Sequence, residues 1–240
     1  MSDATLVLEA IHVAYGHGQQ QHHVLNDFSL TVQAGELTCL LGSSGSGKTT
    51  VLRAIAGFEP LSAGRIQVSG ICVAGPGIHL PPEKRHVGMV FQEYALFPHL
   101  TAAKNIAFGL RKQPTSIIQS RVRELLELIG LSALSERYPH ELSGGQQQRI
   151  ALARALAPEP SILLLDEPFS SLDAETRHRL GQDVRDILKS SGQTALMVTH
   201  SEQEAMMMSD RIGYMHAGGF KDTNISASKP ERYAEHSRPR

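Results

Sequence analysis

Cysteine is scarce in this chain of 240 residues, which has only Cys39 and Cys72. Both stand in apolar, strand-like segments, and their spacing suits no metal site. A fold built on disulfides or on structural zinc is therefore not expected, and both side chains are predicted to be reduced thiols of the core.

The chain also lacks an excess of one charge and any long apolar run. Its 23 Lys and Arg residues and 24 Asp and Glu residues give a formal net charge of −1. The chain therefore lacks the excess of positive charge that is typical of proteins that bind nucleic acid or anionic lipid. No apolar run approaches the roughly 18 residues that span a bilayer, and the N-terminus lacks the regions of a signal peptide. We therefore expect a cytosolic protein that recognises its partners by shape, binds no nucleic acid and is peripheral to any membrane.

What the chain does contain is enough apolar material, 41% of its residues, for a substantial core. Its length fits one α/β domain with a smaller helical insertion. Strand-like segments fill residues 6–90, and the pattern then turns helical over about 92–157. Strands are predicted again at 162–165 and 194–198, with a helix near 174–189 between them.

A glycine-rich segment follows an apolar run at residues 36–41 that predicts a buried strand. The segment consists of Gly42, Ser43, Ser44, Gly45, Ser46, Gly47, Lys48, Thr49 and Thr50. Its glycines let the backbone wrap phosphate groups, Lys48 supplies positive charge to the β and γ phosphates, and the Thr49 hydroxyl suits Mg²⁺. A flexible turn is the alternative, but strand, loop, Lys-Thr and a helix ending near Gly57, in this order, favour a nucleotide-binding P-loop.

Two adjacent carboxylates follow the apolar run at residues 162–165, which suits a central parallel strand. The end of such a strand places Asp166 and Glu167 at the ligand crevice of an α/β sheet. Asp166 is then predicted to hold Mg²⁺, directly or through water, and Glu167 to orient or deprotonate an attacking water. Alone, the pair would be interpreted as a helix N-terminus or a solvated turn; the P-loop favours the catalytic interpretation.

A third motif occupies residues 142–149, shortly before the predicted carboxylate strand. Ser143 is a good N-cap for a helix that Pro158 ends, so a turn followed by a helix explains the segment without any function. A helix that begins with Gly144 and Gly145, followed by Gln146, also lets backbone N–H groups approach a phosphate closely. Both interpretations stay open on these residues alone.

These segments, in this order, resemble the motifs of ATP-binding-cassette (ABC) ATPases over about residues 6–219. The resemblance implies an α/β fold, a P-loop NTPase core with an antiparallel β subdomain and an inserted helical subdomain at about 92–157, within an ABC ATPase domain of residues 1–220. ATP and Mg²⁺ are the implied ligands. The implied catalytic residues are Glu167, His200, Gln92 and Lys48, and the implied metal-binding residues are Thr49, Gln92 and Asp166.

Smaller matches to the same family follow its order, and each has an ordinary alternative. The resemblance implies that Tyr15 stacks on adenine, whereas by itself it is a strand-end tyrosine. It implies that Gln92 reaches Mg²⁺ and water, that Asp173 crosses a dimer interface, and that His200 contacts the γ-phosphate. The alternatives are a surface amide for Gln92, a helix N-cap for Asp173 and a bystander histidine for His200.

Residues 81–85, 87–100 and 105–110 look like those of the bacterial importer ATPases for iron(III), polyamines, sulfate and maltodextrins. Residues 138–142 and 169–173 are most similar to the iron(III) branch, which makes iron(III) the expected cargo. Polyamine, sulfate, phosphonate or sugar uptake is the nearest alternative, because these residues touch nucleotide or partner and never the cargo. A non-transport ABC ATPase and an ATP-binding regulatory protein are the alternatives from other classes.

The resemblance also implies partners. Two chains are expected to pair head to tail, so that Ser143 and Gly145 of one close on the γ-phosphate bound by Lys48 of the other. Gly144 and Gln146 are implied to bind the nucleotide with them. The pair would drive permease subunits, and through them a substrate-binding protein, from the cytoplasmic face of the inner membrane. Residues 221–240 are polar, contain proline and lack periodicity, so we expect a disordered tail in place of the β-rich regulatory domain usual in this importer group.

Overall fold

The computed structural model describes residues 4–16, 22–170, 172–216 and 219–223. In chain order the strands are β1 (Ala4–Tyr15), β2 (His22–Gln33), β3 (Leu37–Gly42), β4 (Ala63–Val68), β5 (Ile71–Gly75), β6 (Ile78–His79), β7 (Val87–Val90), β8 (Ile162–Asp166), β9 (Ala195–Thr199), β10 (Arg211–His216) and β11 (Gly219–Thr223). The helices are α1 (Lys48–Ala56), α2 (Ala102–Ala107), α3 (Thr115–Leu128), α4 (Gly144–Leu156), α5 (Ala174–Ser190) and α6 (Glu202–Met208). None of these helices is long and apolar enough to cross a membrane.

The strands form two sheets. One has five strands in the order β2-β1-β4-β5-β6, and all its neighbours are antiparallel. The other has six strands in the order β11-β10-β3-β9-β8-β7, in which only the β10–β11 pair is antiparallel. An antiparallel sheet beside a parallel P-loop sheet is the architecture that the sequence predicts.

Helix ends follow the predicted local signals. Gly57 and Gly130 adopt φ values of 94° and 68°, which glycine reaches without steric cost, and each stands just beyond the end of α1 or α3. Ser143 is the N-cap of α4, which runs to Leu156 as expected. The part of the chain expected to be helical, about 92–157, contains α2, α3, α4 and short 3₁₀ turns.

The parallel sheet separates two groups of buried side chains. Leu40 and Leu164 belong to the group beneath α1 and the antiparallel sheet, whereas Cys39 and Leu165 belong to the group that packs under α4 and α5. Successive side chains of a strand point to opposite faces, so a strand covered on both faces must be apolar throughout. This is why residues 162–165 are a continuous apolar run.

Two expectations differ from the structure. Both cysteines are predicted to lie in the core, but Cys72 is only half-buried. Cys39 is fully buried as expected, and burial raises the pKa of its thiol. Residues 221–223, expected to begin an irregular tail, belong to β11, because β10 offers an edge on which Tyr214 pairs with Lys221 and Ile212 with Thr223. Residues 224–240 lie outside the described residues.

The burial of β8 predicts a stability effect. Leu164 has no exposed surface, so Leu164→Ala should lower the free energy of unfolding by about 2–5 kcal/mol through lost contacts and a cavity. Ile117→Ala on α3, where the side chain is 52% exposed, should change it by less than about 0.5 kcal/mol. Urea unfolding followed by circular dichroism measures both, and equal losses would contradict the buried position of Leu164.

Candidate functional site

Four neighbouring parallel strands end at one edge of the six-stranded sheet. The P-loop follows β3, His200 follows β9, Asp166 ends β8 just before Glu167, and Gln92 lies shortly after β7. Because β3, β9, β8 and β7 run in the same direction, their carboxyl ends meet at this edge. Residues far apart in sequence are thereby brought to one crevice.

The P-loop encloses the side chain of Lys48, which is only 5% exposed. Its Nζ donates to the carbonyl oxygens of Gly42 at 2.8 Å and Ser43 at 2.9 Å. Gly47 turns the chain into α1 with φ 99°, and a Cβ there would lie 3.0 Å from Leu25 Cδ2, so glycine is required. The loop therefore holds an ammonium group at the N-terminus of a helix, a place that favours anions.

The residues of this loop fit a phosphate chain. The Ser46 hydroxyl is buried and has no hydrogen-bond partner within the described part of the chain. The first turn of α1 has no side-chain cap and no acidic residue, which leaves its N–H groups without an acceptor from a cap. A Cβ on Gly45 would meet no atom within 4 Å, so the loop has open space on that side. Phosphate oxygens would supply the acceptors that these donors lack.

Thr49 and Asp166 form a pair of oxygen ligands beside the loop. The Thr49 hydroxyl donates to Asp166 Oδ1 at 3.0 Å. Burial raises the pKa of the Asp166 carboxyl, and nearby Glu167 raises it further, while the Thr49 hydrogen bond acts in the opposite direction. A hydroxyl and a carboxylate side by side suit Mg²⁺, which prefers oxygen ligands and relieves the repulsion between such acids.

Glu167 and His200 meet between the ends of β8 and β9. His200 Nδ1 lies 3.2 Å from Glu167 Oε2. Glu167 has φ 42°, and its N–H donates to the Val198 carbonyl at 3.0 Å. The neighbouring strand thus holds Glu167 in a left-handed conformation that a non-glycine residue rarely adopts. Sequence reasoning named both residues, but only the structure pairs them.

Gln92 is exposed in the loop after β7, and the structure identifies a residue there that sequence reasoning missed. Arg154 of α4 donates to the carbonyl oxygens of Tyr94 at 2.9 Å and Ala95 at 2.7 Å, both of which have left-handed φ values. Burial lowers the pKa of the Arg154 guanidinium. The sequence feature that could have identified Arg154 is its position as an arginine within the apolar second half of a predicted helix. Arg154 fixes the loop that carries Gln92.

Tyr15 comes from the other sheet, at the end of β1, and is 40% exposed. Partial burial is the main cause that raises the pKa of its hydroxyl, and Thr50 and Glu59 lie close enough to shift that pKa in opposite directions. The packing of the antiparallel sheet on α1 therefore brings a partly exposed aromatic ring next to the P-loop helix.

A second group of predicted residues lies where α4 meets α5. Ser143 Oγ accepts from the Gln146 N–H at 3.3 Å, and Asp173 Oδ1 accepts from the Thr176 N–H at 3.0 Å, so both residues are the helix N-caps that the sequence allowed. A Cβ on Gly144 would lie 3.7 Å from Leu172, and one on Gly145 would lie 3.5 Å from Leu180. A cleft of about 220 Å³ borders this group; its lining includes Ser143, Gly145, Gln146, Arg149, Thr176 and Arg179.

These features define a P-loop NTPase core with a helical insertion. The family model described as ABC transporter matches residues 25–170. The chain therefore belongs to the ABC transporter ATP-binding family.

Several curated relatives that are similar to the chain are named as transport or import ATP-binding proteins. It is 48% identical over 216 residues to the putrescine transport ATP-binding protein PotG of Escherichia coli K12, covering 89% of this chain and 55% of the relative. It is 50% identical over 218 residues to the putative 2-aminoethylphosphonate import ATP-binding protein PhnT of Salmonella typhimurium, covering 90% and 57%. It is 52% identical over 200 residues to the Fe(3+) ions import ATP-binding protein FbpC 2 of Rhizobium meliloti, covering 82% and 49%. The chain spans about half the length of these curated relatives.

A solved structure agrees with the fold. The dimeric structure of a post-hydrolysis state of the ATP-binding cassette MJ0796 bound to ADP and Pi has a TM-score of 0.76 and 30% identity, covering 90% of this chain and 98% of that one. The predicted family and fold are confirmed.

The Asp173 cap predicts a pH dependence of stability. The Thr176 N–H holds the pKa of the Asp173 carboxyl below its ordinary value of 3.8. The folded protein then binds this proton less tightly than the unfolded chain, so the contribution is present above the ordinary pKa and is lost as pH falls through the lowered value. Asp173→Asn keeps an acceptor without titrating. The free energy of unfolding of wild type, measured with urea, should therefore exceed that of the variant by more at about pH 6 than at about pH 3. A difference between the two proteins that does not change with pH would contradict the cap.

Proposed function

We propose that this chain is the ATP-hydrolysing subunit of a bacterial ABC importer. The observation that carries the proposal is the convergence of the Lys48 loop, the Thr49–Asp166 pair and the Glu167–His200 pair on one sheet edge. Each of these groups has a separate task in phosphoryl transfer to water, namely binding phosphate, holding Mg²⁺ and activating water. Together they support turnover of ATP as well as binding.

In the proposed mechanism, Lys48 and the N–H groups of residues 42–50 bind the β and γ phosphates, and the Tyr15 ring stacks on adenine. Thr49, Asp166 and Gln92 hold Mg²⁺, which neutralises charge on the phosphate oxygens when bound. Glu167 accepts a proton from the attacking water as a general base. His200, 3.2 Å from that carboxylate, orients it and contacts the γ-phosphate.

The residues at the junction of α4 and α5 support a head-to-tail dimer. Within the described part of the chain, the near neighbours of Ser143, Gly144, Gly145, Gln146 and Asp173 lie in their own helices and in or just before α5, rather than on the P-loop. The solved MJ0796 cassette is a dimer bound to ADP and Pi. We infer that this group completes the nucleotide site of a second chain, so that ATP binding closes the dimer and hydrolysis reopens it.

A pair of exposed aromatic rings supports contact with a permease. Phe58, after α1, is 48% exposed, and Phe91, beside Gln92, is 37% exposed, with ring centroids 6.4 Å apart. Exposed aromatic side chains next to a loop that senses nucleotide suit an interface that transmits its movement. We propose that permease subunits bind here, that the substrate-binding protein acts through them, and that the chain is peripheral at the cytoplasmic face of the inner membrane.

For cargo we propose iron(III), as the residues at 138–142 and 169–173 indicate. The relatives named for Fe(3+), putrescine and 2-aminoethylphosphonate have identities between 48% and 52%, which do not separate the branches. Polyamines and phosphonates are therefore the first alternative cargoes, and sulfate and sugars are the next alternatives.

Glu167→Gln tests hydrolysis separately from binding. The variant should bind ATP as wild type does, because the P-loop is unchanged, while phosphate release falls by about 10²–10⁴-fold with loss of the general base. Size-exclusion chromatography with ATP should then show a trapped dimer. Glu127→Gln, at an exposed position of α3, is the control that should keep normal turnover. Wild-type phosphate release by Glu167→Gln would remove Glu167 from this role.

Cargo is tested by uptake in source cells that express either the native chain or Lys48→Ala at matched levels. We expect Lys48→Ala to abolish uptake of labelled iron(III), because the lysine ammonium is needed for phosphate binding and hence for ATP-driven transport. Uptake of putrescine and 2-aminoethylphosphonate should stay unchanged, because the proposal assigns iron(III) alone to this chain. Loss of putrescine or phosphonate uptake alone would reassign the cargo. No change in any of the three would contradict transport of these cargoes.

A further inference from the structure

A buried carboxylate lies close to the catalytic edge without belonging to it. Glu204 is in the first turn of α6 and is only 2% exposed. Its two oxygens face different elements: Oε2 accepts from the Thr199 hydroxyl at 2.5 Å, and Oε1 lies 3.5 Å from Arg177 Nε of α5. A carboxylate in this environment interacts strongly with both groups because little water screens it.

On one side, Glu204 fixes the backbone that carries His200. The Thr199 hydroxyl, which donates to Glu204, also accepts from the Ser201 N–H at 3.1 Å. Ser201 Oγ in turn accepts from the Glu204 N–H at 3.3 Å. The residues before and after His200 are therefore both linked to Glu204 by hydrogen bonds. His200, whose imidazole lies 3.2 Å from Glu167, belongs to this hydrogen-bonded turn.

On the other side, Arg177 connects Glu204 to the loop that precedes α5. Its guanidinium donates to the carbonyl oxygen of Leu172 at 2.7 Å, immediately before Asp173. Arg177 Nε is buried and finds no hydrogen-bond acceptor among the described residues, so its interaction with Glu204 is an ion pair at 3.5 Å and not a hydrogen bond. One planar side chain thus holds both the Asp173 loop and the turn at His200.

Stability alone is a weak explanation for such a pair. Taking the Glu204 carboxylate out of water is unfavourable, and apolar replacements of buried ion pairs are often neutral or stabilising. What the pair supplies is a fixed spatial relation between two loops, because displacing the partly exposed Arg177 guanidinium leaves the Glu204 carboxylate buried without its partner.

We propose that Arg177 and Glu204 are positioning residues that couple the Asp173 loop to His200. The inference rests on the proposed ATPase function and adds a regulatory step to it. When a second chain presses on the Asp173 loop, Leu172 and Arg177 move together, and Glu204 transmits this movement to the turn that holds the imidazole against Glu167. Hydrolysis is thereby favoured once the dimer has closed.

The test compares Arg177→Gln, Glu204→Gln and the double variant with Arg185→Gln as a matched control. Arg185 lies on the same helix and is similarly exposed, at 28% against 31%, and its ion pair is with Asp210 at 2.9 Å. We expect each test variant to lower kcat of phosphate release by about tenfold while KM for ATP changes by less than about twofold. The double variant should be no slower than the slower single variant, because both break one connection. Arg185→Gln should keep both constants.

Several kinetic results would overturn the coupling. These are an unchanged kcat, a KM that rises as much as kcat falls, or additive effects in the double variant. An equal loss in Arg185→Gln would show that any broken α5 ion pair suffices. If Arg177→Gln does not fold, Arg177→Lys replaces it; it keeps the charge, but a single ammonium cannot bridge Leu172 and Glu204 as the guanidinium does.

Amide hydrogen exchange separates failure of this inference from failure of the proposed function. In the nucleotide-free protein, Arg177→Gln should accelerate exchange in a peptide covering residues 199–204, where the Ser201 N–H is bonded to Thr199, and Arg185→Gln should not. If wild type releases no phosphate, the proposed function fails and this measurement alone decides the coupling. Exchange at 199–204 that stays at the wild-type rate in Arg177→Gln would overturn it.

Discussion

The backbone pairing of the parallel strands β3, β9, β8 and β7 is the constraint on which the rest of the structure depends. Leu40 pairs with Val198, and Val198 pairs with Asp166, so the ends of three strands are fixed in register. A shift of one residue would turn every side chain of a strand to the other face, so that the buried side chains on both sides of the sheet would no longer pack as they do. The buried register that holds the core together therefore also sets the distance between the P-loop and the acidic residues.

At this sheet edge, tertiary contacts hold backbone conformations that would be costly in isolation. Glu167 takes a left-handed conformation against the Val198 carbonyl, and Tyr94 and Ala95 do the same under the guanidinium of Arg154. Such conformations cost on the order of 1–3 kcal/mol each and persist only where the surroundings over-determine them. They occur beside Asp166 and Gln92, so the surrounding contacts hold the backbone that carries these candidate residues.

The molecule thus carries two groups of candidate residues with different surroundings. The P-loop, Asp166, Glu167 and His200 lie at the ends of strands, whereas Ser143 and Asp173 are N-caps of α4 and α5. As caps they have a structural role within one chain, and their exposed position also suits contact with another chain. The partly exposed Arg177 and the buried Glu204 give the second group a physical connection to the first.

The sequence by itself determined what is local. Apolar periodicity and glycine placement were enough for β3, β8, β9 and the ends of α1 and α3, because a strand covered on both faces is continuously apolar and a left-handed helix end needs glycine. Only the tertiary structure decided which distant residues meet: that Thr49 bonds Asp166, that Glu167 faces His200, that Arg154 holds the Gln92 loop, and that residues 221–223 join the sheet. Those contacts depend on the order and register of strands, and a hydrophobic pattern reports the faces of an element but not its neighbours.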